Sequence, residues 1–346
     1  MRKKIVLSIA IVFFLEIIQT ITAQKPALPV NSNATKEAKA LLKYIYTISG
    51  EKTLTAEHEQ LYIMSKHIDS IAKLTGKHPA IWGGEFGFSD ERHDIDNIKY
   101  RPRLLTEILK QHAEGSIITM TYHQASPVIG EPCDFKPGVI GKLTPEEFRD
   151  LLTPGTKLYG TWKGMVDNLA LLFKTLQEKG IPVLFRPYHE MNGGWFWWSG
   201  INCDSCYIKL YRQMYNYLTH QCKINNLIWV WSPSSQNFKL KEFYPGDNYV
   251  DILGFDIYPP HRDAKPEETF KQDIYDTLLN FASGKPIVIG ECGTMPTPEI
   301  LEKQPRWAWM MCWVDLIFKG NSNEEITRIY NDKRIITQES IVCTPF

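Results

Sequence analysis

From residue 50 onward the chain alternates short, nearly unbroken apolar runs with longer stretches whose apolar positions recur every three or four residues. Eight runs stand out: KTLTAEH, PAIWGGEF, SIITMTYH, PVLFRPYHE, NLIWVWSPS, DILGFDIYP, PIVIGECG and WAWMMCWVD. Continuous apolar runs bounded by turn residues suit strands buried on both faces. Their alternation with amphipathic segments implies parallel strands joined by crossover helices. The stretch GMVDNLALLFKTLQEKG shows the helical period, with Val166, Leu169, Ala170, Phe173 and Leu176 on one face and Gly180 closing the end. Eight such units in about 300 residues predict an α/β fold of the (β/α)8 TIM-barrel type in a single domain. The rival is a doubly wound open sheet. It is disfavoured because no Gly-x-Gly-x-x-Gly follows the first run and no Walker loop occurs.

Two connections exceed what a plain barrel needs: residues 124–162, rich in Pro and Gly after the third run, and residues 191–206, which hold Trp195, Phe196, Trp197 and Trp198. Both are expected at the C-terminal mouth, where barrels of this kind build their sites. No linker, repeat or low-complexity tract divides the chain.

The first residues break the pattern. Arg2, Lys3 and Lys4 precede an apolar run from Ile5 to Ile18 that ends near Ala23, which reads as a secretory signal peptide over residues 1–23 followed by a mature catalytic domain over 24–346. The run is short for a membrane span and contains Glu16. A secreted protein, periplasmic or extracellular, is therefore expected, with no membrane association after cleavage. Lys+Arg and Asp+Glu both number 39, and that balance argues against a nucleic-acid or membrane-surface partner. A monomer is expected. Seven Cys leave at least one thiol unpaired. Cys203 and Cys206 are read as a tight disulfide or two plain thiols, since no second Cys pair or nearby His supports zinc. Cys292 and Cys312 lie in apolar runs and read as buried small hydrophobes.

The ends of the eight runs collect one kind of residue: His58 and Glu59, Glu85, His123, His189 and Glu190, Asp256 and Tyr258, and Glu291. A strand buried on both faces has no structural use for a terminal carboxylate, so Glu190 and Glu291 point to chemistry at the mouth. Two carboxyl groups beside aromatic rings suit glycoside hydrolysis. One carboxyl protonates the leaving oxygen while the other attacks or shields the anomeric carbon, and indole faces accept the C–H face of a sugar.

The motif RPYHEMNGGWFWW around Glu190, with IGEC around Glu291, GFDIYP around Asp256 and Tyr258, and TYHQASP around His123, resembles glycoside hydrolase family 26, whose best-known members are secreted β-1,4-mannanases. That resemblance implies a (β/α)8 barrel with Glu190 as acid/base at the fourth strand and Glu291 as nucleophile at the seventh. It further implies that His189 neighbours the reacting sugar and the nucleophile, that His123 and Trp195 shape the site, and that Tyr258 hydrogen-bonds the nucleophile. Arg186 and Asp256 are implied as supporting charges, and Trp313 as a platform at the eighth strand. The implied substrates are mannan, glucomannan or galactomannan, with β-1,3-xylan or mixed-linkage β-glucan as alternatives. No cofactor or metal is implied. The chain departs from the family at Tyr122-His123 and Ser126-Pro127, where Trp-His and Asn-Pro are usual, and at Glu85, where an Asp is usual; both changes bear on which sugars fit.

Other readings of the same residues stay open at this level. His123 could be a core histidine, and Trp197 and Trp198 ordinary packing under a loop. A metal-dependent hydrolase would need His123, His189, Glu190 and Asp256 as ligands, but His-Glu-x-x-His and His-x-His are absent, and neighbouring strand residues face opposite ways. A noncatalytic glycan-binding barrel would have no need of both glutamates. Cleavage inside the chain is expected. The long third connection is also long enough to wall off one end of a cleft and release mannobiose instead.

Overall fold

The computed structural model describes residues 28–60, 63–87, 97–200 and 203–341, so the signal-peptide expectation lies outside the described residues. Each of the eight apolar runs forms a strand: β1 (Thr53–Glu59), β2 (Ile81–Glu85), β3 (Ile117–Tyr122), β4 (Val183–Pro187), β5 (Leu227–Trp231), β6 (Ile252–Ile257), β7 (Ile287–Cys292) and β8 (Trp307–Trp313). All neighbouring pairs are parallel, and β1 pairs with both β2 and β8, which closes the barrel. A two-residue ninth strand, Ile335–Ile336, adds to β1 at its start.

Burial separates along the alternation of each strand. Leu54, Ala56, Ile81, Ile117, Leu184, Ile228, Val230, Ile252, Val288, Trp309 and Met311 pack with the buried face of helix Lys36–Ile48, which plugs the N-terminal end of the barrel. The alternate residues, such as Trp82, Ile118, Phe185, Trp229, Leu253 and Ile289, pack with the surrounding helices. Apolar burial on both faces is the source of the unbroken hydrophobic runs. No helix among the described residues is long and apolar enough to cross a membrane.

Two expectations need correction. The segment 124–162 is not one loop: Thr144 and Glu147 form a capping box that starts helix Pro145–Leu151, and Thr156 caps a helix over Lys157–Glu178. That helix begins seven residues before the periodic stretch, because Gly160 and Gly164 interrupt the apolar pattern without breaking the helix. The fourth run does not continue as a strand through Glu190; β4 ends at Pro187.

Candidate active site

Strands β1 to β7 deliver polar side chains to the C-terminal mouth, at their ends or just beyond them. Inward-facing Arg186 of β4 is buried and donates from one guanidinium nitrogen to Asp256 Oδ2 at 2.9 Å and from the other to Glu291 Oε1. Tyr258 Oη donates to Glu291 Oε2 at 2.7 Å, and His189 Nε2 stands 3.5 Å from Glu291 Oε1. Asp256 Oδ1 accepts from Ser232 Oγ at 2.6 Å. His189, Asp256 and Glu291 bring potential ligand atoms within 4.8 Å of one another. The Arg186 guanidinium already lies against both carboxylates, so a fixed cation stands beside the pair.

His189 and Glu291 reach the interior through breaks in strand alternation, and Glu190 keeps its place there across the first of them. Tyr188 and Glu190 adopt left-handed backbone (φ 49° and 52°), a conformation costing non-glycine residues about 1–2 kcal/mol each. The first reversal turns Tyr188 outward, where its hydroxyl meets Trp162 Nε1 at 2.9 Å, and leaves both His189 and Glu190 facing the mouth. The sequence reading that neighbouring residues here point apart is thus overturned by the turn. At β7 the register with β6 slips between Phe255↔Ile289 and Asp256↔Glu291, a bulge at Gly290 that re-aims Glu291 inward. A Cβ at Gly290 would lie 2.3 Å from Ser232 Oγ and 2.5 Å from Asp256 Oδ1, so only glycine admits this packing.

Glu190 is almost fully buried and, among the described residues, accepts one hydrogen bond, from Trp195 Nε1 at 3.1 Å. The Trp195 ring lies on Gly193, where a Cβ would stand 2.0 Å from the indole. Burial first, and the Glu291 charge second, push the Glu190 carboxyl up to about 8. Burial also drives His189 well below the usual imidazole range, with Arg186 next, so its ring is neutral. Neither His189 ring nitrogen has a hydrogen-bond partner among the described residues, leaving both free for a ligand.

His123 is not an isolated core histidine. Its Nδ1 lies 2.6 Å from Glu85 Oε2, its backbone N–H donates to Glu85 Oε1 at 2.9 Å, and its ring meets His189 edge-on at 4.3 Å between centroids. Burial alone would raise Glu85, but His123 outweighs it and holds the carboxyl at about 2. Trp313, half-buried, stacks on His58 at 3.9 Å, and His58 Nε2 contacts Thr121 Oγ1 at 2.7 Å. His58 therefore belongs to the site; its place at a strand end was the only signal for it. Glu59, beside it, faces outward and accepts from the N–H groups of His67 and Ile68 at a helix start, a structural task.

Trp197 and Trp198 are packing residues, fully buried, donating to the carbonyls of Gln124 and His189. The connection after β3 is fastened to the neighbouring residues of this aromatic segment and to His123: Ile140 bridges Phe196, Gly141 N–H donates to the Trp195 carbonyl, and Phe135 meets the His123 ring at 6.0 Å. Cys203 and Cys206 form a disulfide, while Cys292 and Cys312 are buried free thiols.

Comparison with known proteins gives this geometry its relatives. The chain is 28% identical to mannan endo-1,4-beta-mannosidase A and B of Caldalkalibacillus mannanilyticus over 98% of its own length and 68% of that protein's. It is 26% identical to mannan endo-1,4-beta-mannosidase of Bacillus subtilis strain 168, covering 99% of this chain and 97% of that one. Among solved structures, GH26A from Muricauda sp. MAR_2010_75 superposes with a TM-score of 0.81 at 38% identity, covering 90% of this chain and 99% of that one. The family model for glycosyl hydrolase family 26 matches residues 30–340, and the chain belongs to that family.

Proposed function

We propose that this chain is a retaining β-mannanase that cuts β-1,4-mannosidic bonds in mannan, glucomannan or galactomannan, with Glu190 as acid/base and Glu291 as nucleophile. The observation that carries the roles is the contrast between the two carboxyls. Glu190 is buried with an indole as its one donor among the described residues, whereas Glu291 is held by the Arg186 guanidinium and the Tyr258 hydroxyl. One is suited to keep a proton and the other to present an aimed carboxylate.

In the first step Glu291 attacks the anomeric carbon and forms an ester as the bond to the leaving sugar breaks, and the Glu190 proton passes to the leaving oxygen. In the second, water attacks the same carbon, its proton goes to Glu190, and the ester releases Glu291. Neutral His189 lies beside Glu291 with unpaired ring nitrogens for a sugar hydroxyl. Trp195 and Trp313 offer half-exposed ring surface to sugar faces.

Mannan as substrate rests on the named activities of the relatives at full coverage of this chain. Purified polysaccharides assayed for reducing ends test it: release from mannan above xylan and mixed-linkage glucan is expected, and no release from any mannan overturns it. Internal cleavage is proposed, with the β3 connection bounding the cleft beside His123. Deleting residues 128–142 would remove Glu131 from its pairing with Arg101 and Val139 from the core, so the wall is better probed by Phe135→Ala. Mixed oligosaccharides with a rapid fall in viscosity are expected from the unaltered chain. A single disaccharide from the first minutes, giving way to mixed products in the variant, would instead assign terminus-directed cleavage. Secretion after removal of residues 1–23 belongs to the same proposal, and N-terminal sequencing of exported protein starting at Gln24 is its test.

A further inference from the structure

Glu190 sits in an unfavourable backbone conformation at the end of a turn, and something must hold it there. The bond from its own N–H goes to the Ser232 carbonyl at 2.8 Å, on the segment that follows β5. Two residues on, the buried Asn192 makes a far more complete connection to the same segment. Its Oδ1 accepts from Ser234 N–H at 2.8 Å, its Nδ2 donates to the carbonyls of Ser234 at 2.7 Å and Asn237 at 2.6 Å, and its own carbonyl accepts from Asn237 Nδ2 at 3.3 Å.

The Ser234 segment is in turn fastened to β6. Ser234 bridges Asp256, Ser235 N–H donates to the Asp256 carbonyl, and Asp256 N–H donates to the Pro233 carbonyl. The Asp256 carboxylate holds Arg186, which holds Glu291. A continuous hydrogen-bonded frame therefore runs from the Glu190 turn through residues 232–237 to Glu291, and Asn192 is its joint.

We propose that Asn192 is a positioning residue for the reaction: its side-chain amide fastens the Glu190 turn to the segment after β5 and so fixes where the Glu190 carboxyl stands relative to Glu291. This rests on the reading of Glu190 as acid/base. Only a side chain with a donor and an acceptor in one planar fork meets the Ser234 N–H and C=O together. Aspartate would present a second acceptor to two carbonyls, and alanine would leave the buried Ser234 N–H and C=O, and the part-buried Asn237 C=O, without this partner.

The test compares Asn192→Ala, Asn192→Asp and Asn237→Ala with Glu190→Ala, each checked for folding by circular dichroism and melting. The readout is kcat/KM on mannan and on a 2,4-dinitrophenyl β-mannobioside, whose leaving group needs no proton. Displacing a general acid costs about 100-fold or more on mannan, while about fivefold or less is expected on the activated substrate. Asn237 is half-exposed, so Asn237→Ala folds more readily; it loosens the joint by one bond and should show a smaller split of the same sign. A merely structural defect lowers both substrates alike. If Glu190→Ala splits the substrates while the Asn192 and Asn237 variants lower both equally or neither, the positioning role is overturned. If Glu190→Ala itself shows no split, the acid/base reading fails and takes this proposal with it. Should neither Asn192 variant fold, Asn237→Ala alone decides by the same split.

Discussion

Replacing Glu190 by Gln should make the protein more stable, and increasingly so as pH rises. Burial and the neighbouring Glu291 push the Glu190 carboxyl from its ordinary 4.5 up to about 8, so the folded chain keeps a proton that the unfolded chain has already released. Between those values folding takes up a proton, and the stability of the unaltered protein falls as pH increases by about 1.4 kcal/mol per pH unit from this one group. Glutamine is an isostere of the neutral acid and still offers an oxygen to Trp195 Nε1, yet it has no proton to take up. The difference between variant and parent should therefore be small at pH 4.5, grow through neutrality, and level off near pH 8 at about 5 kcal/mol. Urea unfolding at half-unit steps from pH 4.5 to 8.5 measures it, and taking the difference cancels buried acids that do not feel Glu190, such as Asp251. A difference that stays flat across this range would mean that Glu190 titrates as an ordinary exposed carboxyl, and the division of labour between the two glutamates would lose its electrostatic basis. A difference that shrinks with pH would reverse it.

Tyr258→Phe removes one hydroxyl donor from Glu291, and a hydrogen bond to a charged group is worth about 1.5–3 kcal/mol, so kcat/KM should fall about 10- to 100-fold with the fold intact. Arg186→Met leaves Asp256 and Glu291 buried without their cation and should destabilise the protein by about 3–5 kcal/mol, read from the shift in urea midpoint. Glu85→Gln breaks the pair that holds His123; because the Glu85 carboxyl is held down at about 2, the parent's advantage should be about 3 kcal/mol near pH 4.5 and be lost as pH falls toward 2. An advantage that persists to pH 2 would show that the ion pair is not its source.

The barrel was legible because a parallel strand buried on both faces leaves an unbroken apolar run, and each of the eight runs contains a strand of the closed sheet. Polar residues at the run ends were legible for the same reason, since nothing in packing calls for them. The way these side chains turn inward was not legible. Simple alternation from Arg186 sends His189 outward, and from Val288 it sends Glu291 outward. The left-handed residues Tyr188 and Glu190 and the bulge at Gly290 reverse this, and a turn or bulge leaves no periodic trace. Asn192 was hidden for a different reason: its partners lie 42 and 45 residues away, and its type is ordinary in a turn. His58 stood among the strand-end residues, but only the stack with Trp313 and the contact with Thr121 mark it as part of the site.

The covalent step is open to direct observation. A 2-fluoro-mannosyl substrate with an activated leaving group forms the glycosyl ester quickly and hydrolyses it slowly, so protein digested after incubation should carry one added sugar on the peptide containing Glu291, and Glu291→Ala should carry none. A sugar found on another residue, or none found while NMR shows the first product of mannan cleavage with inverted anomeric configuration, would contradict retention through Glu291.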